Sequence, residues 1–96
     1  MSEATLAADE APRLDKWLCH ARFFKTRNLA AQLVAKGRLR VNRTVVTKAH
    51  YRVRIGDVLT FPQGARIRVV RVLGIAARRG PASEAQRLYE DLENQG

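Results

Sequence analysis

The stretch from Arg22 to Asn42, RFFKTRNLAAQLVAKGRLRVN, decides the fold. It reads as a basic loop, a short helix, a glycine stop and a strand. Thr26 is placed as the helix N-cap, because its hydroxyl can accept from an unpaired first-turn N–H. Leu29, Ala30, Leu33 and Val34 then share one face at helical period. Gly37 suits the helix end, since glycine takes positive φ at little cost. Leu39 and Val41 alternate with Arg38 and Arg40, the two-residue period of a half-buried strand. Arg22, Lys25, Arg27, Lys36, Arg38 and Arg40 surround this apolar seam. A helix N-terminus carries partial positive charge and free N–H groups, so it suits phosphate. Basic side chains on both sides enlarge such a site, and the expectation is a nucleic-acid surface on a helix-to-strand corner.

The rest of the composition agrees. The 96 residues carry a net charge of +9 and are 46% apolar, which fits one folded domain with a modest core. Residues 13–54 hold twelve Lys or Arg against a single acid, Asp15, a local +11; the remainder nets −2. Segregation of this kind predicts a polyanion partner, with an anionic membrane surface the weaker alternative. No apolar run reaches the roughly 18 residues of a membrane span. Cys19 is the only cysteine, so no internal disulfide forms, and a cytoplasmic address fits.

Residues 1–11 are small and acidic and read as a mobile leader. Pro12 suits a helix start, and Leu14, Trp17, Leu18 and Ala21 repeat at i, i+3, i+4 and i+7, predicting a helix over 13–21. Arg13, Lys16 and His20 lie on another face, as a solvated surface or an extension of the basic patch. Phe23 and Phe24 are favoured as core and hinge over base stacking. Strands over 38–41 and 44–47 form a hairpin around Asn42–Arg43; asparagine tolerates left-handed φ, and Arg43 is a poorer turn residue than glycine. Residues 48–54 are basic and irregular, anchored by Tyr51 and Val53. A turn at Gly56–Asp57 leads to a strand over 58–61, and residues 62–65 turn the chain again. In the strand over 66–73 the apolar phase slips between Ile67/Val69 and Val70/Val72, which suggests a bulge or burial on both sides. Residues 76–81 read as a linker. A last helix follows, capped by Ser83, with Ala85, Leu88, Tyr89 and Leu92 as its apolar stripe.

Catalytic and metal chemistry find little support. Cys19, His20 and His50 fall short of a common zinc set without several carboxylates. A Cys19–His50 pair lacks a third orienting group, and no glycine-rich phosphate motif is present. Asp15 and Asp57 are better explained structurally. No cofactor, metal or catalytic residue is expected.

RLDKWL at 13–18, KTRNLAAQLVAKGRLRVN at 25–42 and RIGDVL at 54–59 resemble the RNA-binding domain of ribosomal small-subunit protein four. The flanking WLCHARFFKTRNLA and ARRGPASEAQRLYEDL are similar to the ribosome-associated heat shock protein 15 family, a stand-alone form of that domain. The resemblance implies an α+β fold: two short helices packed on a small antiparallel sheet, with a C-terminal helix. The expected organisation is leader 1–11, RNA-binding domain 12–75, and linker with last helix 76–96. It implies binding to ribosomal RNA on large ribosomal subunits that carry a nascent chain on tRNA after failed translation, and a part in their recycling under stress. The RNA-binding residues it implies are Arg13, Arg22, Lys25, Thr26, Arg27, Lys36, Arg38, Arg40, Asn42, Arg43 and Lys48. Arg13 is open between RNA contact and structural partner of an acid. Where this sequence has Arg43, the family often has glycine. Longer members continue into a Lys/Arg-rich tail; this sequence ends on an acidic stretch at Gly96.

Two other readings compete with a non-enzymatic rRNA binder. Two helices joined by a short loop allow a helix-turn-helix DNA binder, although the outward residues Asn28, Ala31, Gln32 and Ala35 are poorly suited to reading bases. The RNA-binding portion of an rRNA-modifying system is the other. Large subunits and peptidyl-tRNA are the expected partners, and no membrane is. The last helix can pack on its own domain or on a second copy, and a monomer is expected.

Overall fold

Leu14, Trp17, Leu18 and Ala21 are all buried, so the period in the sequence does build the first helix, α1 (Leu14–His20). The structure, a computed structural model, describes residues 11–93. The expected leader therefore lies outside the described residues except for Ala11, which is buried and whose carbonyl accepts from Arg52 Nη1 at 2.7 Å. Pro12 precedes the cap residue Arg13, and its carbonyl accepts from the Val53 N–H. The helix stops in a two-bond turn. The Arg22 N–H bonds Cys19 O and the Phe23 N–H bonds Leu18 O, with Arg22 at φ +68°. That left-handed position usually belongs to glycine.

The second helix, α2 (Arg27–Ala35), starts as expected: Thr26 Oγ1 accepts from the Leu29 N–H at 3.2 Å. It ends at Gly37, φ +72°, whose N–H bonds Val34 O. Its core stripe is narrower than the sequence suggests. Ala30 and Val34, four apart, are fully buried, while Leu29 is 47% exposed and Leu33 is half-buried. Successive helical residues point about 100° apart, so a nine-residue helix seats one i, i+4 row squarely and leaves its neighbour at the margin.

The chain then enters β1 (Leu39–Val41), with Leu39 and Val41 inward and Arg40 outward. Asn42 (φ +50°) and Arg43 (φ +80°) turn it into β2 (Thr44–Val46). Positive φ at both central residues is the type I′ pattern, whose twist matches paired strands. Two further strands, β3 (Val58–Gln63) and β4 (Arg66–Val72), pair through six consecutive residues without a break. No bulge occurs. The apparent phase slip has another cause: Arg68, with only 12% of its side chain exposed, lies on the core face with Val70 and Val72, while Ile67 and Val69 lie on the open face. Pro62 and Gln63, expected in a turn, extend β3, and the turn itself is Gly64–Ala65. Pro62 is tolerated because β1 pairs only with Leu59 and Thr60, so the missing N–H falls beyond the end of that ladder.

The C-terminal segment departs most from expectation. The last helix, α3 (Ala82–Ala85), is a single turn continued by a 3₁₀ turn at Gln86–Leu88, and Tyr89–Asp91 form β5 against β4. Pro81 occupies the cap position, so Ser83 caps nothing. The fifth strand wins because it sets Glu90 and Glu93 against Arg71, Arg66 and Arg68. A lone helix gains no such partners. The sheet order is β2-β1-β3-β4-β5, all antiparallel, and the helices pack against it, so the expected α+β class holds. The expected linker is fastened to α1 and the turn after it: His20 Nδ1 lies 3.1 Å from Ala76 O, Arg79 Nε donates to Cys19 O, and Arg22 Nε donates to Gly80 O; just ahead of it Trp17 Nε1 donates to Gly74 O at 2.9 Å. Phe23 is core, its ring centroid 5.2 Å from Phe61 and 4.5 Å from Tyr89. Phe24 is half-buried against Phe61.

Candidate nucleic-acid interface

The α2–β1 corner places its cations at the surface. Lys25, Thr26 and Arg27 open the helix and are exposed; Lys36 and Arg38 sit where it hands over to the sheet; Arg40 points outward from β1; and Arg43 tips the hairpin. Lys48 follows on the exposed loop after β2. Lys25, Lys36, Arg38, Arg40, Arg43 and Lys48 form no ion pair among the described residues. Their charge is therefore available to an external anion. The first turn of α2 adds N–H groups that the helix cannot use, of which Thr26 satisfies one.

The other expected site residues have occupations of their own. Asn42 is a brace. Its Nδ2 donates to Asp57 Oδ1 at 3.0 Å and its Oδ1 accepts from the Val58 N–H at 2.9 Å, while Asp57 Oδ2 accepts from the Arg54 N–H. This clamp holds the hairpin tip against the start of β3, and so fixes where Arg40 and Arg43 project. Thr26 spends its hydroxyl on the cap. Arg22 turns its Nε to the C-terminal coil at Gly80. Arg13 does pair with an acid: its Nε and Nη2 reach the two oxygens of Asp15 at 3.2 and 3.1 Å. Arg27 Nη2 lies 3.7 Å from the same carboxylate.

Sequence reasoning assigned Asp15 a structural place without naming its partners. It is buried, and its backbone N–H bonds Ala49 O, so it ties α1, α2 and the loop after β2 to one point. An acid standing alone within a +11 segment was the available signal. Arg54 is a further exposed cation without an ion pair among the described residues. Among those residues no cluster of His, Cys, Asp or Glu is placed to hold a metal ion, and no helix is long and apolar enough to cross a membrane.

The family model of the S4 domain matches residues 12–59, the span from the start of α1 into β3 that contains the corner. Heat shock protein 15 of Escherichia coli (strain K12) is 44% identical over 81 residues, covering 82% of this chain and 59% of that protein. The small ribosomal subunit protein uS4 of Chromohalobacter salexigens is 40% identical over 70 residues, covering 71% of this chain and 34% of that protein. Among solved structures, the trimeric heat shock protein 15 of Vibrio cholerae superposes with a TM-score of 0.81 at 40% identity, covering 85% of this chain and 82% of that one. That relative is a trimer, so it lends no support to the expected monomer. These relations do not support the helix-turn-helix DNA reading either. The chain spans about three-fifths of the length of the curated heat shock protein 15 of E. coli. With an S4 domain at its centre and this identity to a solved heat shock protein 15 along most of its length, the chain belongs to the heat shock protein 15 family.

Proposed function

We propose that this chain is a non-enzymatic RNA-binding protein of the ribosome that grips ribosomal RNA by the α2–β1 corner. The observation that carries the reading is the run of exposed cations from Lys25 to Lys48, which, Arg27 apart, meet no carboxylate among the described residues, set around an open helix N-terminus. Phosphate contacts of that kind fix position on RNA, and exposed guanidinium and ammonium groups suit them. On this reading the large ribosomal subunit with a stalled nascent chain on tRNA is the working target, and its recycling under stress the outcome; membership of the heat shock protein 15 family supports that step. A cytoplasmic location follows from it.

Co-sedimentation with separated ribosomal subunits tests the target, and affinity at one fixed salt concentration tests the site. Arg27→Ala with Arg40→Ala removes two corner charges. Arg78→Ala with Arg87→Ala removes two exposed charges outside the corner. The corner pair is expected to weaken binding by about a hundredfold, the weight of two charge-assisted contacts. The second pair is expected to change it little. Equal losses mean a diffuse surface and reject the corner. Sedimentation equilibrium on the free protein reads one copy or three.

A further inference from the structure

Asp15 is the only acid between residues 13 and 54, and it is 2% exposed. A negative charge inside a surface built for a polyanion lowers the attraction of that surface, so simple electrostatics gives no reason for it. The geometry does. Oδ1 accepts from Arg13 Nε at 3.2 Å, Oδ2 accepts from Arg13 Nη2 at 3.1 Å, and Arg27 Nη2 lies 3.7 Å from Oδ2. One guanidinium comes from the cap residue of α1 and the other from the first residue of α2. The carboxylate side chain is 3% exposed, whereas the two arginine side chains are 39% and 49% exposed. Each arginine thus meets Asp15 while a large part of its side chain stays in water. A guanidinium carries five N–H donors in a rigid fork, and Arg13 spends two of them on Asp15.

Two guanidiniums at one point repel each other unless a shared anion lies between them. Asp15 is that anion, and its backbone is tied to the loop after β2. Its N–H bonds Ala49 O at 3.2 Å, and the neighbouring Leu14 N–H bonds Tyr51 O at 2.7 Å. The first turn of α1 thus spends these N–H groups on the loop and leaves the open helix N-terminus to α2.

Resting on the RNA-binding reading above, we propose that Asp15 is a positioning residue of the RNA surface: it holds Arg13 and Arg27 side by side so that their outer N–H groups take one phosphodiester segment. The competing account is that Asp15 merely fastens α1 to α2 and hides two charges. The two accounts differ in sign. Asp15→Asn keeps the shape and raises the net charge of the protein by one. If Asp15 only hides charge, the variant binds RNA more tightly. If it positions the arginines, the variant binds more weakly despite its extra charge.

The test uses the full chain and protein-free large-subunit ribosomal RNA, after circular dichroism and a thermal melt show that the variant is folded. Asp15→Asn is expected to bind about three- to tenfold more weakly, at most the worth of one charge-assisted contact. The slope of log K against log salt is expected to become shallower by roughly 0.7–0.9, one phosphate contact. Unchanged or tighter binding overturns the proposal and leaves the RNA reading standing. Failure of the wild-type chain to bind this RNA overturns both. Should Asp15→Asn not fold, Arg13→Lys with Arg27→Lys decides instead. Those substitutions keep both charges and lose the fork, so weaker binding supports held geometry and unchanged binding rejects it.

Discussion

The arginines of β4 and the cations of the α2–β1 corner carry the same charge in opposite settings. Arg66, Arg68 and Arg71 each meet a carboxylate from β5 or just beyond it. Arg66 bonds Glu93 at 2.8 Å, Arg71 bonds Glu90 at 2.7 Å, and Arg68 bonds Glu93 and lies 3.6 Å from Asp91. Arg68 also donates to Gln63 Oε1 and stacks over the Phe23 ring at 5.1 Å. These arginines hold the last strand to the sheet. The corner cations are exposed and meet no carboxylate among the described residues, apart from Arg27. The difference teaches that a basic residue is assigned by its partner and not by its charge. Net charge sums the two regions, and only the geometry separates them.

Salt separates them most strongly. If the corner takes about five phosphates, as proposed, log K against log salt has a slope near −3.5 to −4.5, from roughly 0.7–0.9 per contact. RNA affinity is then expected to fall by about two orders of magnitude between roughly 50 and 200 mM salt. The melting temperature of the free protein should move far less over that range, because Arg68 and Glu93 are largely shielded from solvent. Affinity indifferent to salt breaks the comparison.

Single substitutions come next. Arg68→Ala is expected to destabilise the fold well beyond the roughly 0.5 kcal/mol of an ordinary surface change, since it removes the guanidinium shared by Glu93, Gln63 Oε1 and the Phe23 ring and leaves Glu93 to the exposed Arg66. Arg40→Ala should stay within about 0.5 kcal/mol, because an outward side chain without a partner contributes little to the fold. Chemical denaturation of the two variants measures both. Equal losses mean that Arg40 too is structural.

The smallest effect is in acid. Burial acts to raise the Glu93 carboxyl, but the hydrogen bonds and charges of Arg68 and Arg66 outweigh it and hold the group below its ordinary 4.5. A depressed carboxyl contributes its full stability above the unfolded value and loses it as pH falls through the folded one. Stability is therefore expected to decline below about pH 4.5, with part of that decline missing in Glu93→Gln. Melting curves collected from pH 7 down to 3 read the difference. Parallel wild-type and variant profiles would remove Glu93 from the account.

The corner was legible in the sequence because its signals are local. Thr26 as cap, Gly37 as stop and the Leu39/Val41 alternation each depend on neighbours within a turn or two. The C-terminal strand was not legible, because its cause is distant. Ala85, Leu88, Tyr89 and Leu92 satisfy a helical period, and only Arg66, Arg68 and Arg71, some twenty residues earlier, show why Tyr89–Asp91 extends instead. The slip in β4 was visible, but its reason, an arginine on the core face, needed Glu93 in place. The same holds within the site. Exposed cations are countable in a sequence, whereas Asn42 as brace and Asp15 as anchor exist only once Asp57, Arg13 and Arg27 are brought to them.

Pro62 protects this small sheet from its own kind. Beyond Thr60, β3 runs on past the end of β1 and would offer a bare flank to any stray extended chain. Such flanks recruit further strands, and recruitment of that sort seeds aggregates. At Pro62 the flank has no amide hydrogen to donate, and Gln63 beside it reaches over to the Phe23 carbonyl at 2.8 Å. A protein crowded by other copies, by unfolded polypeptide or by heat thus presents a blunted border where it would otherwise be sticky. A valine at that place would favour the strand better and make the molecule a poorer neighbour.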